Sequence, residues 1–129
     1  MSNHSRPRSS LKYLVRSRLA LSAFMLCACR ADIVSVSPDG GSQTITAAPG
    51  QGIDITLRNV GPAIYASPPI ISSAAVTYLG VDDVPPYNPG GPTQRFRFRA
   101  VSAGQAVIRF QRELGDAIVE VVEDTVRVR

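Results

Sequence analysis

Tryptophan is absent from this chain of 129 residues, and three residue types that supply much of enzyme chemistry are confined to its start. The single histidine is His4, the single lysine is Lys12, and the only cysteines are Cys27 and Cys29. From Arg30 onward no Ser-His-Asp or Cys-His arrangement can form, and no His/Cys metal site either. A disulfide framework is excluded as well, since both thiols lie in one short window. No apolar run reaches the roughly 20 residues that a transmembrane helix requires. Internal repeats and low-complexity segments are also missing.

What the start does contain is an export pattern. Arg6, Arg8, Lys12, Arg16 and Arg18 make a basic head, and Leu19 to Leu26 (LALSAFML) make the short apolar run of a cleaved signal. Leu26-Cys27-Ala28-Cys29 then resembles a bacterial lipobox, in which the cysteine becomes the lipid-bearing first residue of the mature protein. Cys27 stands where a small or β-branched residue is usual. The resemblance implies a signal peptide over 1–28, lipidation at Cys29, a short tether over 29–31 and a folded domain over 32–129. It implies a place in the bacterial cell envelope, at the outer membrane or in the periplasm, with Cys29 as the membrane attachment. The other reading is an ordinary signal cut at an Ala-x-Ala-like site, with Cys29 left as a free thiol or paired to Cys27.

The sequence pI of about 9.6 is a property of that start. Beyond residue 28, nine arginines face ten acids, so the domain lacks the basic excess that nucleic-acid binding needs, and no nucleic-acid partner is expected. About 100 residues remain, enough for a single domain with one modest core. Carboxylates are the remaining chemical groups, notably Asp82-Asp83, Glu113, Asp116 and Glu123-Asp124. Neighbouring acids on a strand point to opposite faces, and on a loop they face water, so solvated groups are expected rather than a catalytic pair. The expectation is a binding protein, not an enzyme, with no cofactor and no metal.

From residue 32 the chain shows the two-residue period of strands. Ile33, Val34 and Val36 begin one, Pro38-Asp39-Gly40-Gly41 reads as a turn, and Ser42 to Ala47 resumes extended structure. Ile53 to Arg58 alternates apolar and polar strictly. In Gln94 to Ala100, Phe96, Phe98 and Ala100 share one face and Arg95, Arg97 and Arg99 the other. Ser102-Ala103-Gly104 is read as closing a hairpin onto Gln105 to Gln111, whose inner face would carry Ala106, Ile108 and Phe110. The arginine triplet has two readings, a patch for an anionic ligand and, the one expected, a solvated outer face with acids on adjacent strands. Ala117 to Arg129 is a last strand, with Val126 and Val128 inward.

Seven of the ten prolines lie between Pro62 and Pro92, a density expected to break any long strand and to exclude helix. Short strands are expected at Ala63 to Ser67 and Ala75 to Val81. Tyr65, Tyr78 and Tyr87 are either surface contacts or core residues. The pattern gives an all-β fold, an immunoglobulin-like antiparallel β-sandwich of seven or eight short strands. Strand direction then places three connections at one end: Asn59 to Pro62, Asp82 to Thr93, and Arg112 to Asp116. Such loop ends on a rigid scaffold are where recognition is placed.

Three stretches of this pattern resemble the chagasin family of cysteine-protease inhibitors. They are Asn59-Val60-Gly61-Pro62, Asn88-Pro89-Gly90-Gly91-Pro92-Thr93 and Arg112-Glu113-Leu114, within a resemblance covering most of Gly50 to Arg129. The run GGPTQRFRFRAVSAGQAVIRFQR keeps the family's order of Gly-Gly, strand, Ala-Gly link and Arg. Asn59, Gly90, Gly91 and Arg112 match motif positions. The family carries Asn-Pro-Thr-Thr-Gly in the first stretch and Arg-Pro-Trp in the third. Here the Thr-Thr-Gly is absent and Glu113-Leu114 replaces Pro-Trp, removing an aromatic anchor of a kind worth about 2 to 4 kcal/mol in an interface. The resemblance implies an inhibitor of papain-like cysteine proteases, with Asn59, Val60, Gly61, Pro62, Asn88, Gly90, Gly91, Arg112, Glu113 and Leu114 meeting the partner. A noncatalytic structural or adhesive envelope module is the alternative.

Overall fold

The computed structural model describes residues 33–36, 42–59, 61–88 and 91–129. The expected signal, Cys29, the tether, the turn at Pro38 to Gly41, and Val60 and Gly90 all lie outside the described residues.

Nine strands are found among the described residues: β1 (Ile33–Val36), β2 (Thr44–Ala47), β3 (Gly52–Arg58), β4 (Ile64–Tyr65), β5 (Ile70–Ile71), β6 (Val76–Asn88), β7 (Gly91–Ala100), β8 (Gly104–Leu114) and β9 (Ala117–Val128). They form two sheets. The front sheet has the order β1-β3-β7-β6, and the back sheet the order β2-β9-β8-β4 with β5 also on β8. The all-β immunoglobulin-like sandwich read from the strand period is the architecture observed.

The alternation of side chains explains where the core lies. Ile53 and Ile55 of β3 and Phe96 and Phe98 of β7 project inward from the front sheet. Ile108 and Phe110 of β8 and Val126 of β9 meet them from the back, and all are at most 1 % exposed. Phe110 joins the layers, with its ring centroid 5.0 Å from Phe96 and 6.2 Å from Phe98 in edge-on contacts. Burial of rings of this size dominates the stability of a small core.

Three expectations are corrected. β7 and β8 are not a hairpin: β7 pairs with β3 and β6, whereas β8 pairs with β9, β4 and β5. Ser102-Ala103-Gly104 therefore carries the chain from one sheet to the other. The inner faces of these strands look at each other across the core instead of lying side by side.

The sandwich is also not wholly antiparallel, since β1 runs parallel to β3 and β2 parallel to β9. Successive strands β1, β2 and β3 reverse direction while switching sheets. Alternate strands thus return to the same sheet in the same sense, with the strand between them acting as the crossover.

Finally, the prolines do not cut β6 short. It runs for 13 residues through Pro85 and Pro86. β6 is an edge strand, and its ladder with β7 is irregular between Val84 and Asn88, so the missing N–H groups break no central pairing. The connection expected over Asp82 to Thr93 is accordingly mostly strand, because Asp82, Asp83 and Val84 pair with Arg95, Gln94 and Thr93.

Candidate functional site

β3, β6 and β8 all run toward one end of the sandwich, so the turns that follow them emerge together there. The first turn follows Arg58, the second joins β6 to β7, and the third is Gly115-Asp116 between β8 and β9. Arg112, Glu113 and Leu114, expected in a connection, belong to β8 itself. They pair with Glu120, Ile118 and Ala117, with a ladder irregularity after Arg112.

Asn59 occupies a position different from the one its turn-like surroundings suggest. It is 0 % exposed, so its side chain is not a contact surface, and the expectation that it meets a partner directly is corrected. Its Nδ2 donates to the carbonyl of Pro92 at 2.7 Å and to Oε1 of Gln94 at 2.9 Å. Gln94 in turn accepts from the N–H of Tyr65 at 2.8 Å and donates from Nε2 to the Tyr65 carbonyl at 3.1 Å. A single buried amide thus replaces a strand neighbour for Tyr65 and ties the front sheet to β4 of the back sheet. Buried polar groups at this density hold geometry, because each lost partner leaves a desolvated donor or acceptor behind.

The first two turns touch. Gly91 has φ of +140°, and a Cβ there would lie 3.3 Å from Cβ of Asn59 and 3.4 Å from the carbonyl oxygen of Gly61. Glycine is required on both counts, the backbone conformation and the close approach. Thr93 locks the base of the same connection by donating from Oγ1 to the Pro86 carbonyl at 2.8 Å. Gly61 is half-buried with a φ of +86° and open space where a side chain would stand, and Pro62 is exposed. Asn88 ends β6 opposite Gly91.

Arg112 joins the third turn to this assembly. Its Nε lies 2.8 Å from Oε2 of Glu120, and the Tyr65 hydroxyl donates to the same oxygen at 3.5 Å. Desolvation, reinforced by the Glu120 charge, raises the pKa of the Tyr65 phenol above its ordinary value of 10.0, with Arg112 opposing. Tyr65 is therefore a buried structural residue, Tyr78 packs its ring 5.6 Å from that of Phe98, and Tyr87 is 68 % exposed. Beyond Arg112 the β8–β9 hairpin projects an aliphatic tip. Leu114, Ile118 and Val119 are each about half exposed, and Ile64 of β4 lies in one row with Glu113 and Ile118.

Gln94, Tyr65, Glu120 and Ile118 were not singled out for this end by sequence. Gln94 carried the one available signal, a polar residue at the inward parity of Phe96 and Phe98.

The other acids among the described residues are spread over the sandwich. Asp82 receives both Arg95 and Arg97 at 3.2 and 3.1 Å, and Glu123 lies 3.7 Å from Arg109. Asp124 corrects the expectation of a solvated carboxylate: it faces inward opposite Ile108 and is 0 % exposed. Its Oδ1 accepts the Gln43 N–H at 3.0 Å. Burial pushes its pKa up, with the Gln43 bond opposing.

No protein-family model and no curated protein matches the chain. Solved structures do. A cysteine protease inhibitor from Entamoeba histolytica, EhICP2, superposes with a TM-score of 0.59 at 11% sequence identity, covering 76% of this chain and 96% of that one. Amebosin superposes with a TM-score of 0.54 at 18% identity, covering 76% and 98%. At these identities the likeness is one of fold. The fold that the sequence resemblance implied is thus the one these structures share with the chain.

Proposed function

We propose that this chain is an exported, lipid-anchored binding domain that inhibits papain-like cysteine proteases by occluding their cleft with the end where its three turns meet. The convergence of those turns carries the reading. Gly91 packed on Asn59 and Gly61 makes two of them one unit, and the Tyr65–Glu120–Arg112 contacts attach the third. The fold shared with a cysteine protease inhibitor supports an inhibitory role.

On this reading the Asn59 to Pro62 segment enters the centre of the cleft, with Gly90-Gly91 on one flank and Arg112, Glu113 and Leu114 on the other. Asn59 acts from beneath, by fixing where Gly61 and Pro62 stand. Inhibition is steric. From Arg30 onward the chain offers no thiol or imidazole for an exchange with the enzyme's own nucleophile. Affinity comes from aliphatic contact at Leu114 and Ile118 in place of an aromatic anchor, which sets the expected strength in the micromolar range.

The test is a panel of papain-like proteases assayed with the purified protein and with variants whose turns at 60–62, 88–91 and 114–117 are scrambled. Inhibition by the parent, weakened in the variants, is expected; a panel without binding at micromolar concentration removes the reading. In cells, a structural or adhesive module would keep its phenotype after the same scrambling. Lipid attachment is tested separately by Cys29→Ala, which should abolish palmitate labelling and release the protein from membranes.

A further inference from the structure

The outer face of the front sheet carries a different feature, away from the three turns. Its rows can be read across the register. One row is Ile33, Gly52, Arg99 and Thr77; the next sets Asp54, Arg97 and Gly80 side by side; the third sets Thr56, Arg95 and Asp82. Acids stand beside Arg97 and Arg95, and Asp82 pairs with both. Arg99 has a glycine on one side and a threonine on the other, and it makes no ion pair among the described residues.

These rows surround a concavity of about 360 Å³ lined by Ile33, Gly52, Leu79, Arg95, Arg97 and Arg99, with Asp54 also on its wall. Gly50 and Gly52 line it without side chains, and Gly80 leaves the place beside Arg97 bare. A Cβ at Gly52 would close to 3.3 Å on Ile33, and one at Gly80 would come within 3.6 Å of Nη2 of Arg97. Two of its walls are apolar and open to solvent, with Ile33 59 % and Leu79 51 % exposed. Leu79 is the extra residue of a ladder irregularity between Tyr78 and Gly80, which detaches it from the regular pairing of β6.

We propose that this concavity binds a small amphipathic oxyanion, a phosphate or carboxylate on a short alkyl chain. Around the concavity itself three arginines, Arg95, Arg97 and Arg99, meet two carboxylates, Asp54 and Asp82, so one positive charge is left over there, and the register locates it at Arg99. A guanidinium presents paired N–H donors matched to the two oxygens of a carboxylate or phosphate. Ile33 and Leu79 flank the row of Arg99 and the irregularity beside it, and they give an alkyl chain apolar surface next to the charged head. The volume lies at the small end of ligand pockets, which fits a compact ligand. The head group is the same whether the anion is free in solution or part of a lipid.

The experiment is an amide-shift titration of the ¹⁵N-labelled full chain with hexyl phosphate, inorganic phosphate and hexanoate, alongside sedimentation with phosphatidylglycerol and phosphatidylcholine vesicles. Hexyl phosphate or hexanoate should saturate at millimolar concentration, with shifts at Gly52, Gly80 and Arg99. Arg99→Gln should weaken that binding about tenfold, and Leu79→Ser should weaken it as well, while Arg127→Gln on the back sheet leaves it unchanged. Saturation by phosphatidylglycerol but not phosphatidylcholine vesicles, with the same dependence on Arg99, would identify a lipid headgroup as the source. Failure of every probe to saturate overturns the proposal. So does an undiminished affinity in Arg99→Gln, or inorganic phosphate binding as tightly as hexyl phosphate. Protease inhibition is read at the three turns and is unaffected by these outcomes.

Discussion

Asn59 and Asp124 are both 0 % exposed, and each leaves one side-chain oxygen without a hydrogen-bond partner among the described residues. They nevertheless do opposite things. The Asn59 amide is neutral, and its Nδ2 makes two bonds that continue through Gln94 to the backbone of Tyr65. Burying it costs little charge desolvation, and its bonds set the position of the turns around Gly61 and Gly91. The Asp124 carboxylate accepts the Gln43 N–H at 3.0 Å and makes no ion pair among the described residues. Burial then acts on the ionised form, and the residue is held at a cost that depends on pH. A buried polar group contributes according to how completely it is partnered and whether it is charged.

The largest expected effect breaks the first half of that comparison. Gln94→Ala strips partners from both the N–H and the carbonyl of Tyr65, two buried backbone groups at once. Each such loss costs about 1 to 3 kcal/mol, so the variant should lose about 3 kcal/mol in urea unfolding. Amide shifts should spread to Gly61 and Gly91, and protease inhibition should fall with them. A loss below about 1 kcal/mol would mean that the turns are held by backbone packing alone.

Asp124→Asn tests the second half. Because burial raises the carboxyl pKa above its usual 3.8, the folded state binds this proton more tightly than the unfolded chain does. The associated stability is fully present below the unfolded value, and it is lost as pH rises through the folded one. The unfolding midpoint of the parent should therefore decline with rising pH relative to that of Asp124→Asn, in which the step is absent. Parallel profiles between pH of about 4 and 7 would show that the group ionises as freely as in the unfolded chain.

How far the sequence reveals these features follows from what alternation encodes. Phe96 and Phe98 against Arg95, Arg97 and Arg99 identify a strand and its inner face without ambiguity, and the same holds for Ile53 to Arg58. Alternation says nothing about which strand lies alongside. The link at Ser102 to Gly104 therefore read as a hairpin, although β7 and β8 face each other from different sheets. The effect of the prolines at 85 and 86 is hidden for a related reason, since it depends on whether β6 is an edge or a central strand. At the site, Asn59 followed by a glycine and a proline has the composition of an exposed turn. Its burial comes from Pro92 and Gln94, more than 30 positions away, and no local pattern carries that information.

The smallest stability effect is expected at the β8–β9 tip, where it sharpens the contrast between residues that position the site and residues that present surface. Leu114 and Ile118 are 49% and 54% exposed and stand outside the core cluster. Leu114→Ser and Ile118→Ser should each change unfolding free energy by no more than about 0.5 kcal/mol. If the tip supplies the aliphatic contact proposed for protease binding, the double variant should nevertheless weaken inhibition about tenfold, an effect of roughly 1.4 kcal/mol that belongs entirely to the interface. Gln94→Ala should lose stability and inhibition together, whereas the tip variant should lose inhibition alone. Unchanged inhibition by a well-folded tip variant would move the contact surface inward, to Gly61, Pro62 and Gly91.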